Sequence, residues 1–460
     1  MRMELRGKRV LVVGAAKSGI AAARFLLEQG ARVSLSDKRP PEQLPEAREL
    51  AGEVKLESGG HTCATFTAQD LVVVSPGVPA DLAELAAARE AGVAVIGEVE
   101  LASWFLKGRI LGITGSNGKT TTTALAGQIL ESAGFHAPVG GNIGSPLTAF
   151  IPSSRPETIH VVELSSFQLE TISEFRPHVA VVLNVTPDHL DRHATFEGYA
   201  SAKSRIFAKQ TEADFAVLNA DDAVCRNFAG RTRARVFWFS RAGEVEAGAF
   251  VEDTDVVFRG PLPGPDPRLW TQTMLGVDDI PLKGAHNVEN VLAAVCAAAL
   301  LGADQQHVRA GVRAFRAVEH RLEYVTTVGG VEFYNDSKAT NVDATIKAIE
   351  AFPGNLLVIL GGQDKGSDYH PLRPLLARRA RYALLIGAAA DKIAGHLGDA
   401  VPLVRSGTLD AAVREAFRLS RAGDVVLLAP ACASFDQFQN YEHRGRVFKE
   451  LVAGLTAAEN

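Results

Sequence analysis

The sequence predicts an α/β protein of three domains, each a mostly parallel sheet with helices on both faces. Short apolar runs rich in Val, Ile and Leu alternate with longer amphipathic, Ala-rich stretches along the chain, the rhythm of strand and helix in parallel sheets. That rhythm falls into three blocks. The 460 residues suit about three domains of roughly 150 residues, each able to bury its own core.

In the first block the apolar runs place strands over 9–13, 32–35, 71–74 and 94–96, with one helix after Ser18 and another over 81–90. The block ends near Gly97, and a helical connector leads to Gly108, so the first domain is expected over 1–98. Val10-Leu-Val-Val-Gly14-Ala-Ala-Lys-Ser-Gly19 begins like a dinucleotide fingerprint, and Asp37 ends the second strand at about the 20-residue spacing of a ribose-binding acid. The middle glycine of that pattern is Ala16. This domain reads as Rossmann-like.

The second block, expected over 99–317, places strands at 110–113, 159–164, 179–185 and 216–218 and a closing helix over 285–301. A polar, Pro/Gly-rich region lies between, over 241–281. Its segment 260–267 reads as loop or edge elaboration, because proline cannot serve an interior strand. Gly115-Ser-Asn-Gly118 follows the first of these strands and runs through Lys119 and Thr120 into a helical stretch. Glycines there let backbone N–H groups converge on phosphate oxygens at a helix N-terminus, Lys119 can reach the β- and γ-phosphates, and Thr120 can ligate Mg²⁺. The general pattern wants glycine where this chain has Ile113, so the loop is a variant, and the domain reads as P-loop ATPase-like. Glu163 ends an apolar strand, where doubly wound sheets place ligand-binding groups, and is a candidate metal ligand. The next strand ends in the polar cluster Asn184-Val-Thr-Pro-Asp188-His189-Leu-Asp191-Arg-His193. An Asp or His there caps a helix as readily as it binds metal. Lys203 by spacing alone reads as a solvated helix residue.

The third block, expected over 318–460 and Rossmann-like, has strands at 356–360, 383–386, 403–405 and 425–428 and a helix after Asp436. Composition limits the functional classes. The net charge of -5, from 48 basic and 53 acidic residues without long runs of one sign, suggests no nucleic-acid surface. Cys63, Cys225, Cys296 and Cys432 form no C-x-x-C or Cys/His cluster, so neither zinc nor a disulfide framework is indicated, and a reducing cytoplasm fits. The apolar stretch at 10–13 is soon interrupted by Gly14, Lys17, Gly19 and Arg24, unlike a signal or spanning segment. No membrane association is expected.

Five ordered motifs resemble the Mur ligases of bacterial cell-wall synthesis: Gly112-Ile-Thr-Gly-Ser-Asn-Gly-Lys-Thr120, Gly141-Asn-Ile-Gly144, Glu163-Leu-Ser-Ser-Phe-Gln168, Asn184-Val-Thr-Pro-Asp-His-Leu-Asp-Arg192 and His286-Asn-Val-Glu-Asn290. In the third block Asn335-Asp-Ser-Lys-Ala-Thr-Asn341, Gly361-Gly-Gln-Asp-Lys365 and the stretch from Pro430 to Gly445 resemble the member that adds D-glutamate. The resemblance implies that ATP converts the carboxylate of UDP-N-acetylmuramoyl-L-alanine to an acyl phosphate, which the D-glutamate amine attacks in the cytoplasm, with the enzyme acting as a monomer.

The resemblance also distributes roles. Lys119, Glu163, His189 and Lys203 would be catalytic. Thr120 and Glu163 would hold one Mg²⁺, and His189 and Lys203 a second, with Lys203 carrying a carbamate that behaves as a carboxylate. ATP would meet Gly115, Ser116, Asn117, Gly118, Lys119, Thr120, Thr121, Asn287 and Asn290, and, from the third domain, Arg321 and Asp336. Ala16, Lys17, Ser18, Asp37, Lys38, Arg39, Ser75, Gly77, Asn142 and His189 would bind the UDP substrate; the family more often has glycine where this chain has Ala15-Ala16. Lys338, Thr340, Lys365, Ser434 and Phe435 would receive D-glutamate. A closing motion of the third domain onto the second is implied as well. Two other readings stay open. A folylpolyglutamate-type ligase shares the ATP domain without a separate UDP domain, and a noncatalytic nucleotide-responsive protein would bind NAD in its first domain.

Overall fold

A computed structural model describes residues 4–48, 50, 52–261 and 269–458. They form two compact units. One holds the residues up to Asp279 together with Asn290–Arg313, and the other Ile280–Glu289 together with the residues from Ala314 on.

The first unit contains two sheets. Strands β1 (Arg9–Val13), β2 (Arg32–Asp37), β3 (Lys55–Ser58), β4 (Leu71–Val74) and β5 (Ala94–Gly97) make an all-parallel sheet of order β3-β2-β1-β4-β5. Val10, Leu11, Val12 and Val13 are all buried, as are all four residues of β4, because helices cover both faces and an unbroken apolar run suits such a strand. β3 carries no apolar run and was not expected. The helices begin at Lys17 and Ala83, within two residues of their expected starts.

The second sheet has nine strands: β6 (Arg109–Thr114), β7 (Val139–Gly141), β8 (Ile159–Glu163), β9 (Val179–Val182), β10 (Phe215–Asn219), β11 (Arg235–Ser240), β12 (Gly248–Glu252), β13 (Asp255–Pro261) and β14 (Leu269–Gly276). Their order is β14-β13-β12-β11-β10-β9-β6-β8-β7, parallel except for the β12-β13-β14 meander. The meander lies in the region expected as polar elaboration. Its strands hide in the sequence because the β12–β13 hairpin turns on Asp253-Thr254, with Asp253 at φ 51°, rather than on a glycine pair. Pro261 is the last residue of β13; 262–267 of the expected Pro/Gly loop lie outside the described residues. β9 stops at Val182, short of the expected 185, because Leu183 N bonds Thr114 O and Asn184 turns to the phosphate loop.

The connecting helix Glu98–Ser103 is locked by two buried carboxylates. Glu98 accepts from Thr148 N and Oγ1 at 2.7 and 2.8 Å, and burial nonetheless raises its carboxyl above the usual range. Glu100 accepts from Trp104 Nε1 and from the backbone N–H groups of Ser173, Glu174 and Phe175. Each buried carboxylate thus has the donors that burial demands.

In the second unit, β15 (Glu323–Val328), β16 (Val331–Asn335), β17 (Leu356–Gly361), β18 (Ala380–Ile386), β19 (Leu403–Gly407) and β20 (Val425–Leu428) form a sheet of order β15-β16-β20-β17-β18-β19, with only β15–β16 antiparallel. Separate apolar clusters pack its two faces, one around Val358, Leu360 and Leu385 and the other around Leu357, Ile359 and Leu384. The polar hairpin β15–β16 escaped the apolar-run reading. The last helix spans Tyr441–Ala458.

Candidate active site

β6 hydrogen-bonds to β8 on one side and β9 on the other, so the phosphate loop leaves the sheet where the strand order reverses, the usual ligand crevice of such sheets. Gly118 precedes the helix Lys119–Ser132 with φ 84°. A Cβ there would lie 2.1 Å from Asn290 Oδ1, so this glycine is required by conformation and by space. The Asn184 side chain pins the loop, accepting from Asn117 N at 2.8 Å and donating to Asn117 O at 3.2 Å. Ser116 Oγ donates to Thr186 O and lies 3.1 Å from Tyr199 Oη. Lys119 Nζ lies over the loop, 2.8 and 2.9 Å from the carbonyls of Gly115 and Ser116. Thr120 and Thr121 are buried in the first helical turn.

Lys203, read from spacing as a solvated residue, is 1% exposed. Its Nζ donates to Gly115 O at 2.8 Å and sits 4.5 Å from the Tyr199 ring centroid. Burial, helped by the nearby Lys119 charge, holds its amine well below the usual lysine range. Glu163 is also buried; its Oε1 accepts from Asn142 Nδ2 at 2.7 Å, while Oε2 is buried with no hydrogen-bond partner. Such an orphaned carboxylate oxygen suits a cation. His189 has φ 52° and an exposed side chain, edge-on to Phe167, with Nε2 3.7 Å from Asp188. Asn290 is buried and accepts from Thr122 Oγ1 at 3.3 Å.

A cavity of about 580 Å³ in the same unit gathers Ala16, Lys17, Ser18, Asp37, Lys38, Arg39, Ser75, Gly77 and Asn142 on its walls. Of the residues expected to meet a UDP substrate, only His189 is not among them. Burial tends to raise the Asp37 carboxyl, but Arg39 and the N–H groups of Ala15 and Arg39 outweigh it and bring it down to about 2. Asp37 thereby fixes the loop carrying Ala15 and Ala16. Gly14, at φ 93°, has no room for a Cβ against Ser75, and at Gly19 a Cβ would lie 1.8 Å from Gly14 O. Ala16 has φ -94°, which any residue adopts, so the fingerprint's missing glycine costs the turn nothing. His61 and Gln168 also line the cavity. Gln168 ends the motif that begins at Glu163, though the motif gives it no role, and no local pattern points to His61, which follows Gly59-Gly60 after β3.

In the second unit Arg321 is electrostatically coupled to Asp336; burial raises the Asp336 carboxyl to about 6 against the pull of Arg321. Asn287 is buried and donates to Lys283 O at 2.7 Å. Lys338 Nζ lies 5.0 Å from the Tyr441 ring centroid, Thr340 N bonds Lys338 O, Ser434 is buried, Lys365 is exposed and Phe435 is 68% exposed. A residue given no role by the sequence organises this region. The buried Arg444 donates to Ser337 Oγ and O at 3.0 and 2.8 Å, to Cys432 O at 3.1 Å and to Ala433 O at 3.3 Å. It ties the Lys338 loop to the Ser434 loop.

Three family descriptions match in order: "Mur ligase MurD-like, N-terminal domain" over residues 8–97, "Mur ligase middle domain" over 113–298 and "Mur ligase, glutamate ligase domain" over 320–432. The UDP-N-acetylmuramoylalanine–D-glutamate ligase of Acidobacterium capsulatum is 58% identical over 98% of this chain and 97% of its own. The chain belongs to the Mur ligase family. The ligase of the same name from Solibacter usitatus is 56% identical over 98% of this chain and 99% of its own. Among solved structures, Thermotoga maritima MurF ligase in complex with ADP shares the fold at TM-score 0.61 and 18% identity, covering 100% of both chains. Thermotoga maritima UDP-N-acetylmuramate-alanine ligase MurC does so at 0.59 and 19%, covering 97% of this chain and 99% of that one. As a Mur ligase the chain is an ATP-dependent ligase that uses Mg²⁺. Its donor set fits that ion: Thr120 offers a hydroxyl, and Glu163 a buried oxygen that accepts no hydrogen bond. The match at 8–97 speaks against the folylpolyglutamate and NAD-binding readings. Among the described residues, no helix is long and apolar enough to cross a membrane.

Proposed function

We propose that this Mur ligase joins D-glutamate to UDP-N-acetylmuramoyl-L-alanine, forming ADP and phosphate, as a cytoplasmic monomer in peptidoglycan precursor synthesis. What carries the reading is the 58% identity to a D-glutamate ligase along essentially the whole of both chains. The domain limits that go with it are 1–98 for the UDP substrate, 99–317 for ATP and 318–460 for the amino acid.

A carboxylate is a poor electrophile. Its oxygen attacks the γ-phosphorus of ATP, the bond to the ADP oxygen breaks, and an acyl phosphate results. The D-glutamate nitrogen then attacks the acyl carbon and loses a proton, and phosphate leaves as the amide forms. Mg²⁺, when bound, supplies the positive charge that lets two anions approach. Thr120 and Glu163 would hold one ion, with Asn142 orienting Glu163 through its 2.7 Å bond. Lys119 and the loop from Gly115 to Thr121 would cradle the phosphates, with Asn290 behind Gly118. Asn287, Arg321 and Asp336 would be further nucleotide contacts.

Lys203 supports a second ion site in one form only. An ammonium cannot ligate a cation, but its burial beside Lys119 favours the neutral amine. That nitrogen can add to CO2 and lose a proton, leaving a carbamate that, with His189, would hold the second ion. The cavity walls from Ala16 to Asn142 would bind the UDP moiety. Lys338 and Lys365 would answer the two carboxylates of D-glutamate that the reaction does not consume, with Thr340, Ser434 and Phe435 beside them.

The test is phosphate release from ATP with UDP-N-acetylmuramoyl-L-alanine fixed and the amino acid varied. Release is expected only with D-glutamate. Equal turnover with L-glutamate, L-alanine or diaminopimelate would overturn the assignment.

A further inference from the structure

We propose that Asp368, His370 and His396 form a surface site for a divalent transition-metal ion of the Zn²⁺ type, apart from every residue assigned above to substrate or Mg²⁺. Asp368 and His370 lie in the chain after β17, where His370 opens the short helical turn His370–Leu372, and His396 lies in the last turn of the helix Ala390–Leu397. One ligand atom from each of the three falls within 4.8 Å of the others. The two imidazoles stack with centroids 4.2 Å apart and planes at 23°. Asp368 Oδ1 is 2.6 Å from His370 Nδ1 and 3.3 Å from His396 Nδ1.

The contacts among these side chains suit an ion. Tyr369 N donates to His396 Nδ1 at 3.1 Å, and the same nitrogen lies beside the Asp368 carboxylate. Asp368 Oδ1 is thus shared between the two imidazoles. A cation between the carboxylate and the two nitrogens would be held by all three, at the expense of the Tyr369 bond.

The site is also held in shape. Tyr369, between two of the ligands, is buried, and its hydroxyl donates to Asp364 Oδ1 at 2.7 Å and lies 3.0 Å from Cys432 Sγ. Two imidazoles and one carboxylate with water in the remaining position suit zinc, nickel or copper; magnesium and calcium prefer oxygen alone. The ion would tie the chain after β17 to the helix Ala390–Leu397.

The experiment titrates the full-length protein with zinc chloride in Mg²⁺-containing buffer, by calorimetry and by metal analysis after dialysis. It compares the wild type with His370→Ala, His396→Ala, the variant carrying both histidine changes, and Asp368→Asn. One zinc equivalent is expected in the wild type beyond that in the double histidine variant. Each single histidine change should weaken this equivalent by about tenfold or more, since even ligand-orienting groups contribute that much. Zinc should raise the melting temperature of the wild type and not of His370→Ala. His370 is largely exposed, so its variant should fold and keep its Mg²⁺-supported turnover. Equal zinc stoichiometry and affinity in wild type and variants, or no zinc binding at millimolar concentration, would overturn the proposal.

Discussion

Replacing Arg444 by methionine removes the clamp between the Lys338 and Ser434 loops. Ala433 O keeps a second donor in Gln363 N, and Ser337 Oγ keeps Tyr441 O as its acceptor. The loss therefore falls on the carbonyls of Ser337 and Cys432. Two charge-assisted bonds at about 1.5–3 kcal/mol each amount to about 3–6 kcal/mol. Against this, burial brings the guanidinium from 12.5 down to about 10, a cost of about 3 kcal/mol at ~1.36 kcal/mol per unit, which a neutral side chain escapes. The net destabilisation is about 0–3 kcal/mol, so Arg444→Met should fold. Arg444→Lys keeps the buried charge without the fork that reaches both loops and should be the less stable of the two. Thermal melts of both variants, with KM for D-glutamate, make the assay. KM should rise at least tenfold in each, with the UDP-substrate affinity unchanged. A lysine variant more stable than the methionine variant, or an unaltered KM, would refute the argument.

Gly118→Ala should cost about 1–2 kcal/mol in backbone strain and, by driving its Cβ into Asn290 Oδ1, weaken ATP binding far more than it lowers the melting temperature; an unchanged ATP titration would sink this. Asp336 titrates near 6 when folded, above its ordinary 3.8, so the stability from its protonated form is full below pH 3.8 and lost as pH rises through 6. Asp336→Asn should accordingly stabilise the protein at pH 8, by at most about 3 kcal/mol, and hardly at pH 4, as pH-dependent melts would show; equal shifts at both pH values would count against it. Turnover should fall in CO2-free buffer and recover with bicarbonate, and Lys203→Ala should lose turnover more than ATP affinity. Full activity without CO2 would dispose of the carbamate.

The sequence by itself determined the layered α/β order, the phosphate loop and the family. Buried strands such as β1, β4 and β17 announce themselves as unbroken apolar runs, and the Gly118-Lys119-Thr120 turn has a backbone requirement that few residues satisfy. β3, β15 and the β12-β13-β14 meander were not legible in that way, because strands with charged or alternating residues are held by their neighbours rather than by their own composition. Only tertiary structure decided the environments of single side chains. Lys203 looks solvated by spacing and is buried beneath Gly115; Glu163 reads as a candidate metal ligand from its strand end, and the fold adds that one of its oxygens is reached by no donor; Arg444 looks like a surface helix residue and joins two loops. Spacing along the chain records which face a residue occupies, whereas burial, charge state and hydrogen-bond partners depend on segments 88 or 107 residues away, which only the folded chain brings within reach.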